Sequence, residues 1–172
     1  MDIKKHITAL GFVPKDGTNG IYHKIYVDYA IEIDFEKQSI NYGGGITADS
    51  KTTQNFSDAE NFVVLECVDR LLTKGYKPQN LILEKTWPSG HGTSGRLDIC
   101  VNREDGTPYM LIECKTYGKE YNKELARIRK DGGQLFTYFQ LSGGKADVLM
   151  LYASELKGNK FVYVNEIIKI ED

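Results

Sequence analysis

At 172 residues, 41% hydrophobic and 27% charged, the chain has the composition of one globular domain with enough apolar side chain to build a real core. A formal net charge of -2 excludes a protein whose whole surface grips nucleic acid, so any DNA contact has to come from a local patch or a partner. The longest apolar run, FVVLECV, is broken by Glu66 and falls far short of the ~20 residues a membrane helix needs, so the sequence predicts no export, no membrane span and a cytoplasmic location.

In chain order, residues 3–10 read as a short helix, and IYHKIYV, AIEIDF and QSINY as three successive strands of an antiparallel meander. GGGITADSKTTQN (43–55) is rich in Gly, Thr and Ser without periodicity and reads as a mobile linker or loop. Ser57 or Asp58 suits the N-cap of a helix running through AENFVVLECVDRLLTKG to Gly75. Three strands follow, NLILEKTW, RLDICVN and PYMLIECKT, with a Gly-rich loop after the first and a tight REDGTP turn after the second. A long helix is expected over about 119–140, then strands at ADVLMLYAS and KFVYVN. This order of helix, three strands, helix, two strands predicts an α/β (α+β) fold in which the crossover helix lets its flanking strands run parallel. Residues 1–56 are expected to pack on a core spanning 57–172 as one compact unit.

Cys67, Cys100 and Cys114 are odd in number, lack C-x-x-C spacing and sit among aliphatic residues, the pattern of reduced core thiols. His6, His23 and His91 are scattered and read as surface or loop residues rather than zinc ligands. SGGKAD (142–147) contains a Gly-Lys pair but neither the upstream glycine nor the following Ser or Thr of a P-loop, so no nucleotide site is expected. SGHGTSG (89–95) has no following helix and reads as a flexible connection rather than a phosphate-binding loop.

The stretch IECKT poses the chemical question. Strand alternation puts Glu113 and Lys115 on one face and Ile112, Cys114 and Thr116 on the other, so an acid and a base enter an otherwise apolar strand. The short REDGTP connection sets RLDIC antiparallel beside it, bringing Asp98, flanked by Leu97 and Ile99, near Glu113. Two adjacent carboxylates repel unless one is protonated or a cation lies between them, and with a lysine alongside they suit a hard divalent ion such as magnesium and an oriented water. At 100° per residue, Val64, Cys67, Val68 and Leu71 form the apolar stripe of the first long helix; Glu60 falls within it, while Glu66, Asp69 and Arg70 fall on the polar side. E-x-K alone is a short pattern and recurs as ELK at 155–157, in a polar, turn-like setting that reads as a solvated hairpin. Taken by itself, ECK fits a satisfied salt bridge as well as a catalytic site; Asp98 and Glu60 favour the second.

These residues resemble the PD-(D/E)XK nuclease superfamily, with Asp98 as its first acid, Glu113-Cys114-Lys115 as its acid-x-lysine, and Leu97 where the naming proline would stand. GGQLFTYF adds Gln134 and Tyr138 in a Q-x-x-x-Y arrangement. GRLDI, MLIECK and DGGQLFTYFQ in that order are similar to the N-terminal nuclease domain of type I restriction enzyme R subunits and related fused restriction proteins, over roughly residues 57–165. The resemblance implies a restriction-endonuclease-like core, a mixed sheet flanked by helices with the antiparallel meander beside it. It also implies cleavage of double-stranded DNA with Mg2+, or Mn2+ as a substitute, held by Asp98, Glu113 and the carbonyl of Cys114. Lys115 would orient or deprotonate the attacking water, Glu60 would serve as the first-helix acid, Gln134 would position the DNA or a neighbouring catalytic side chain, and Tyr138 would support it, both counted with the substrate-binding residues. Motor (helicase) and methyltransferase/specificity parts of a restriction complex are the implied partners, with no membrane. The competing reading is a non-catalytic DNA-binding or assembly module that keeps the nuclease fold.

Lys119, Lys123, Arg127 and Lys130 fall in one sector of the second long helix, opposite Tyr121, Leu125 and Ile128, which makes Lys119, Lys123 and Arg127 candidate phosphate contacts. Gln134 and Tyr138 share that sector only if Asp131-Gly132-Gly133 does not break the helix.

Overall fold

The computed structural model describes residues 1–88 and 95–170. The predicted connection at 89–95, with His91, therefore lies outside the described residues except for Gly95. A short helix α1 (Ile3–Ala9), capped by the Asp2 side chain, leads into a four-stranded antiparallel sheet of β1 (Val13–Pro14), β2 (Ile21–Tyr26), β3 (Tyr29–Asp34) and β4 (Ser39–Asn41). This is the expected meander with one further edge strand.

The second sheet has six strands in the order β10-β9-β8-β7-β6-β5: β5 (Thr47–Ala48), β6 (Leu81–Thr86), β7 (Arg96–Asn102), β8 (Pro108–Cys114), β9 (Val148–Lys157) and β10 (Lys160–Lys169). Its β6-β7-β8 and β9-β10 neighbours are antiparallel, whereas β8-β9 and β5-β6 are parallel. The parallel β8-β9 pair is joined through the helical segment that follows β8, the crossover a parallel connection requires. The fold class is the mixed α/β arrangement read from the sequence.

Strand alternation sorts the sheet's side chains into two cores. Met110, Ile112, Cys114, Met150 and Tyr152 join helix α2 (Glu60–Thr73), α1 and the meander, with Phe12, Ile31, Ile33 and Phe62 fully buried among them. Leu111, Leu149, Leu151 and Ala153 face the other way, onto α3 (Lys119–Asp131) and α4 (Gly133–Leu141). The meander thus supplies part of the wall against which α2 packs.

Four expectations need correction. The expected linker at 43–55 contains β5, which adds an edge to the large sheet, and the amide of Asp49 donates to the Leu83 carbonyl at 3.1 Å. Its polar composition reflects hydrogen bonding to neighbours rather than looseness. The expected single helix over 119–140 is two: Gly132 and Gly133, at φ +86° and +56°, end α3 and start α4 in the left-handed backbone region that glycine tolerates. Helix α2 is buried nearly all round, so Glu66 does not lie on a solvated side: it is 2% exposed. His6, read as a surface or loop residue, is 4% exposed and packs edge-on against Phe62 and Phe161. The three cysteines are free and buried, as their apolar neighbours predicted.

Candidate active site at the ends of the central strands

β7 and β8 pair as Ile99↔Ile112 and Cys100↔Leu111, a register that sets Asp98 across from Glu113. The ladder stops there because Asp98 replaces it: its Oδ2 accepts the Cys114 amide at 2.7 Å. β8 ends at Cys114, so Lys115 follows the strand rather than belonging to it, with its amide donating to the Tyr152 carbonyl of β9 at 2.9 Å. The Lys115 ammonium folds back to donate to Glu113 Oε1 at 2.7 Å and to the Cys114 carbonyl at 3.0 Å, and stands 3.4 Å from Glu60 Oε1. Four of the predicted residues, Glu60, Asp98, Glu113 and Lys115, thus meet in one cluster drawn from α2, β7 and β8. Glu60 is the first residue of α2, where the Asp58 side chain, two residues upstream, accepts its amide at 2.9 Å.

Three acids face one lysine, and the energetics follow from that imbalance. Burial pushes the Asp98 carboxyl up to about 7 against the opposing pull of Lys115 and the Cys114 amide, with Glu60 adding repulsion. Glu113 is raised well above the carboxylate range by burial and then by the charge of Asp98. Burial also raises Glu60, against Lys115. Burial disfavours the Lys115 charge, but Glu113, Asp98 and Glu60 together outweigh it and hold the ammonium above its ordinary value. One atom remains unmatched: among the described residues, Glu113 Oε2 is buried without a hydrogen-bond partner.

Tyr138 on α4 is buried and donates its hydroxyl hydrogen to the Arg96 carbonyl at 2.8 Å, while Gln134 Nε2 donates to the Tyr138 hydroxyl oxygen at 3.4 Å. Burial raises the Tyr138 phenol, and the charges of Glu113 and Asp98 raise it further. A Cβ on Gly95 would stand 2.5 Å from that ring, so glycine here is what lets the tyrosine approach β7. Lys119, Lys123 and Arg127 are exposed on α3, Lys123 3.7 Å from Glu120 and Arg127 3.3 Å from Glu124. The glycine break resets the helical phase, leaving this basic face on α3 and Gln134 and Tyr138 on α4.

Three residues near the site were not singled out in the sequence. Glu124 is 2% exposed and accepts the Gln134 amide at 3.1 Å, tying the start of α4 to α3. Glu84 is fully buried in β6, and Arg96 opens β7. Glu84 carried a readable signal, since LILEKT places an acid in an apolar strand just as IECKT does. Arg96 and Glu124 carried none, because arginine at a strand end and glutamate on a helix are ordinary.

A mixed sheet between helical layers, with acids and a lysine gathered where two central antiparallel strands end, defines an α/β domain with a polar site cut into its core. The chain belongs to the family described as type I restriction enzyme R protein N terminus (HSDR_N), whose profile matches residues 59–167. The matched span begins just before Glu60 and contains every residue of the cluster. No curated protein matches the chain.

Proposed function

We propose that this chain is a magnesium-dependent endonuclease domain of the PD-(D/E)XK type, hydrolysing phosphodiester bonds of double-stranded DNA within a type I restriction complex. The observation that carries the reading is Glu113 Oε2, a buried carboxylate oxygen with no partner beside a second carboxylate. Leaving such an atom unmatched costs on the order of 1–3 kcal/mol, and a cation is the partner that removes both this cost and the repulsion.

The donors fit the ion. Among the described residues no three His, Cys, Asp or Glu side chains form a ready-made cage. Magnesium does not need one, because it keeps several of its waters and takes one or two carboxylates. Asp98, Glu113 and the Cys114 carbonyl would hold it; when bound, it supplies Lewis acidity at the phosphoryl oxygen and an acidified water.

The chain's own residues divide the remaining work. Asp98, fixed by the Cys114 amide, and Glu113 present oxygens from adjacent strands. Lys115 stays protonated among three acids, which favours hydrogen-bond donation to the water and to the charge building on phosphorus over proton abstraction. Glu60 holds the ammonium from the α2 side, and Tyr138, with Gln134, supports the β7 backbone just before Asp98. Lys119, Lys123 and Arg127 offer an exposed basic face to the DNA backbone. Residues 1–56 form one unit with 57–172 through the core they share with α2, and the motor and methyltransferase/specificity parts of the restriction complex deliver the DNA.

Calorimetric titration with Mn2+ and Mg2+, paired with cleavage of duplex DNA by the complete restriction complex, tests the reading. Asp98→Ala, Glu113→Ala and Lys115→Ala should each lower cleavage by roughly 10²-fold or more, and the two acid variants should also lose metal binding. Cleavage at the native rate by any of the three refutes it.

A further inference from the structure

Outside the acid-lysine cluster, Glu84 combines burial with backbone strain. It is fully buried, and its backbone sits at φ +51°, a strained conformation that a glutamate rarely adopts. The strain interrupts the β6-β7 ladder: Leu83 pairs with Ile99 and Lys85 with Leu97, while the pairing of Glu84 with Asp98 is missing. The chain is therefore turned at the position opposite the first acid of the site. Glu84 Oε1 accepts from the hydroxyls of Ser50, at 2.9 Å, and Thr52, and lies 3.4 Å from Arg96 Nε. Oε2 has no partner.

Arg96 links this buried carboxylate to solvent. Its side chain is 49% exposed while that of Glu84 is 0% exposed, and it stands two residues before Asp98 with its carbonyl held by Tyr138. Among the described residues Glu84 engages only Nε, which leaves the terminal Nη donors in a planar fork, a geometry suited to phosphate oxygens. The need for such a group follows from the site's own charge. Three acids against one lysine repel a polyanion, and a cation at the mouth, braced from behind, offsets that repulsion where the backbone must enter.

Resting on the nuclease reading, we propose that Arg96 grips a DNA backbone phosphate next to the one being cleaved, and that Glu84, anchored by Ser50 and Thr52, is the positioning residue that holds it there. This gives the segment 43–55 a role in the site, since its hydroxyls brace the arginine through Glu84.

The test is binding of a short labelled duplex, followed by fluorescence anisotropy in Ca2+ across a series of salt concentrations, with thermal melting of each variant. Arg96→Gln should weaken binding roughly tenfold, the scale of one charge-assisted hydrogen bond. It should also lower the log-log salt slope by about one phosphate contact, equally for unrelated sequences. Arg96→Gln alone leaves a buried carboxylate without its cation, so the double variant Glu84→Gln/Arg96→Gln is the deciding measurement: it removes that charge and should bind as weakly as the single variant. Native affinity and salt slope in the double variant would show that Arg96 only neutralises Glu84, overturning the proposal while the nuclease reading stands. Absence of duplex binding by the wild-type chain also overturns the proposal, while cleavage by the complete restriction complex decides the nuclease reading separately.

Discussion

Glu60 and Glu66, both on helix α2, have opposite surroundings. At Glu66 every oxygen is matched: Arg70 Nη2 donates to Oε1 and the Tyr152 hydroxyl to Oε2, both at 2.5 Å. Arg70 Nε completes the triad on the tyrosine oxygen at 2.9 Å, and the guanidinium stacks 4.0 Å over Tyr163. Six residues earlier, Glu60 joins Asp98 and Glu113 around a single lysine, and one buried oxygen has no partner. The first cluster is neutral and closed, the second acidic and incomplete. Burial of charge therefore does not mark a site; an unmatched excess of one sign does, because only the second arrangement is improved by something the chain does not contain.

The comparison breaks first at Glu66. Glu66→Ala leaves the Arg70 charge without its partner and should cost about 3–5 kcal/mol of stability in chemical denaturation; a loss below about 1 kcal/mol would mean that the triad is not architectural.

His6 shows what a buried ionisable group does when, among the described residues, no carboxylate pairs with it. Burial lowers it from 6.5 to about 4 against a backbone hydrogen bond at Phe62, so the fold holds the neutral ring while the unfolded chain takes up a proton first. Its stabilising contribution is therefore complete above pH 6.5 and is lost as pH falls from 6.5 toward 4, by about 3 kcal/mol in all. His6→Phe should flatten the stability profile across that window, measured by denaturation at a series of pH values, and an unchanged slope would place the acid sensitivity elsewhere.

Glu113→Gln sharpens the contrast from the other side. Removing one of two adjacent like charges should leave stability unchanged or raise it by about 1 kcal/mol, even as calorimetry shows Mn2+ binding lost. A destabilisation comparable to that of Glu66→Ala would make the second cluster as structural as the first.

The smallest effect belongs to the other E-x-K. Lys157 and Glu155 form an exposed 2.9 Å pair at the end of β9, so Lys157→Ala should change stability by less than about 0.5 kcal/mol and leave DNA cleavage at the wild-type rate.

What the sequence determined by itself was everything carried by local periodicity. RLDICVN and PYMLIEC are short, largely apolar runs bounded by turn residues, the turn between them is short, and so the strands, their antiparallel pairing and the approach of Asp98 to Glu113 were legible without tertiary knowledge. The amphipathic face of α3 was legible for the same reason, and Gly132-Gly133 marked the break that the expected continuous helix ran through. Tertiary structure alone decided which polar residues are buried and with what. Glu66 meets a tyrosine 86 positions away and Glu84 a serine 34 positions away, so helical phase consigned the first to solvent and composition made the second's partners look like a linker. Lys115 reads as a strand residue, yet β9 takes over its backbone past the end of β8, and only that placement turns its ammonium onto Glu113, the Cys114 carbonyl and Glu60. Periodicity reports which way a side chain points along its own element. The free energy of a buried charge depends on groups that other elements bring to it, and those distances exist only once the chain has folded.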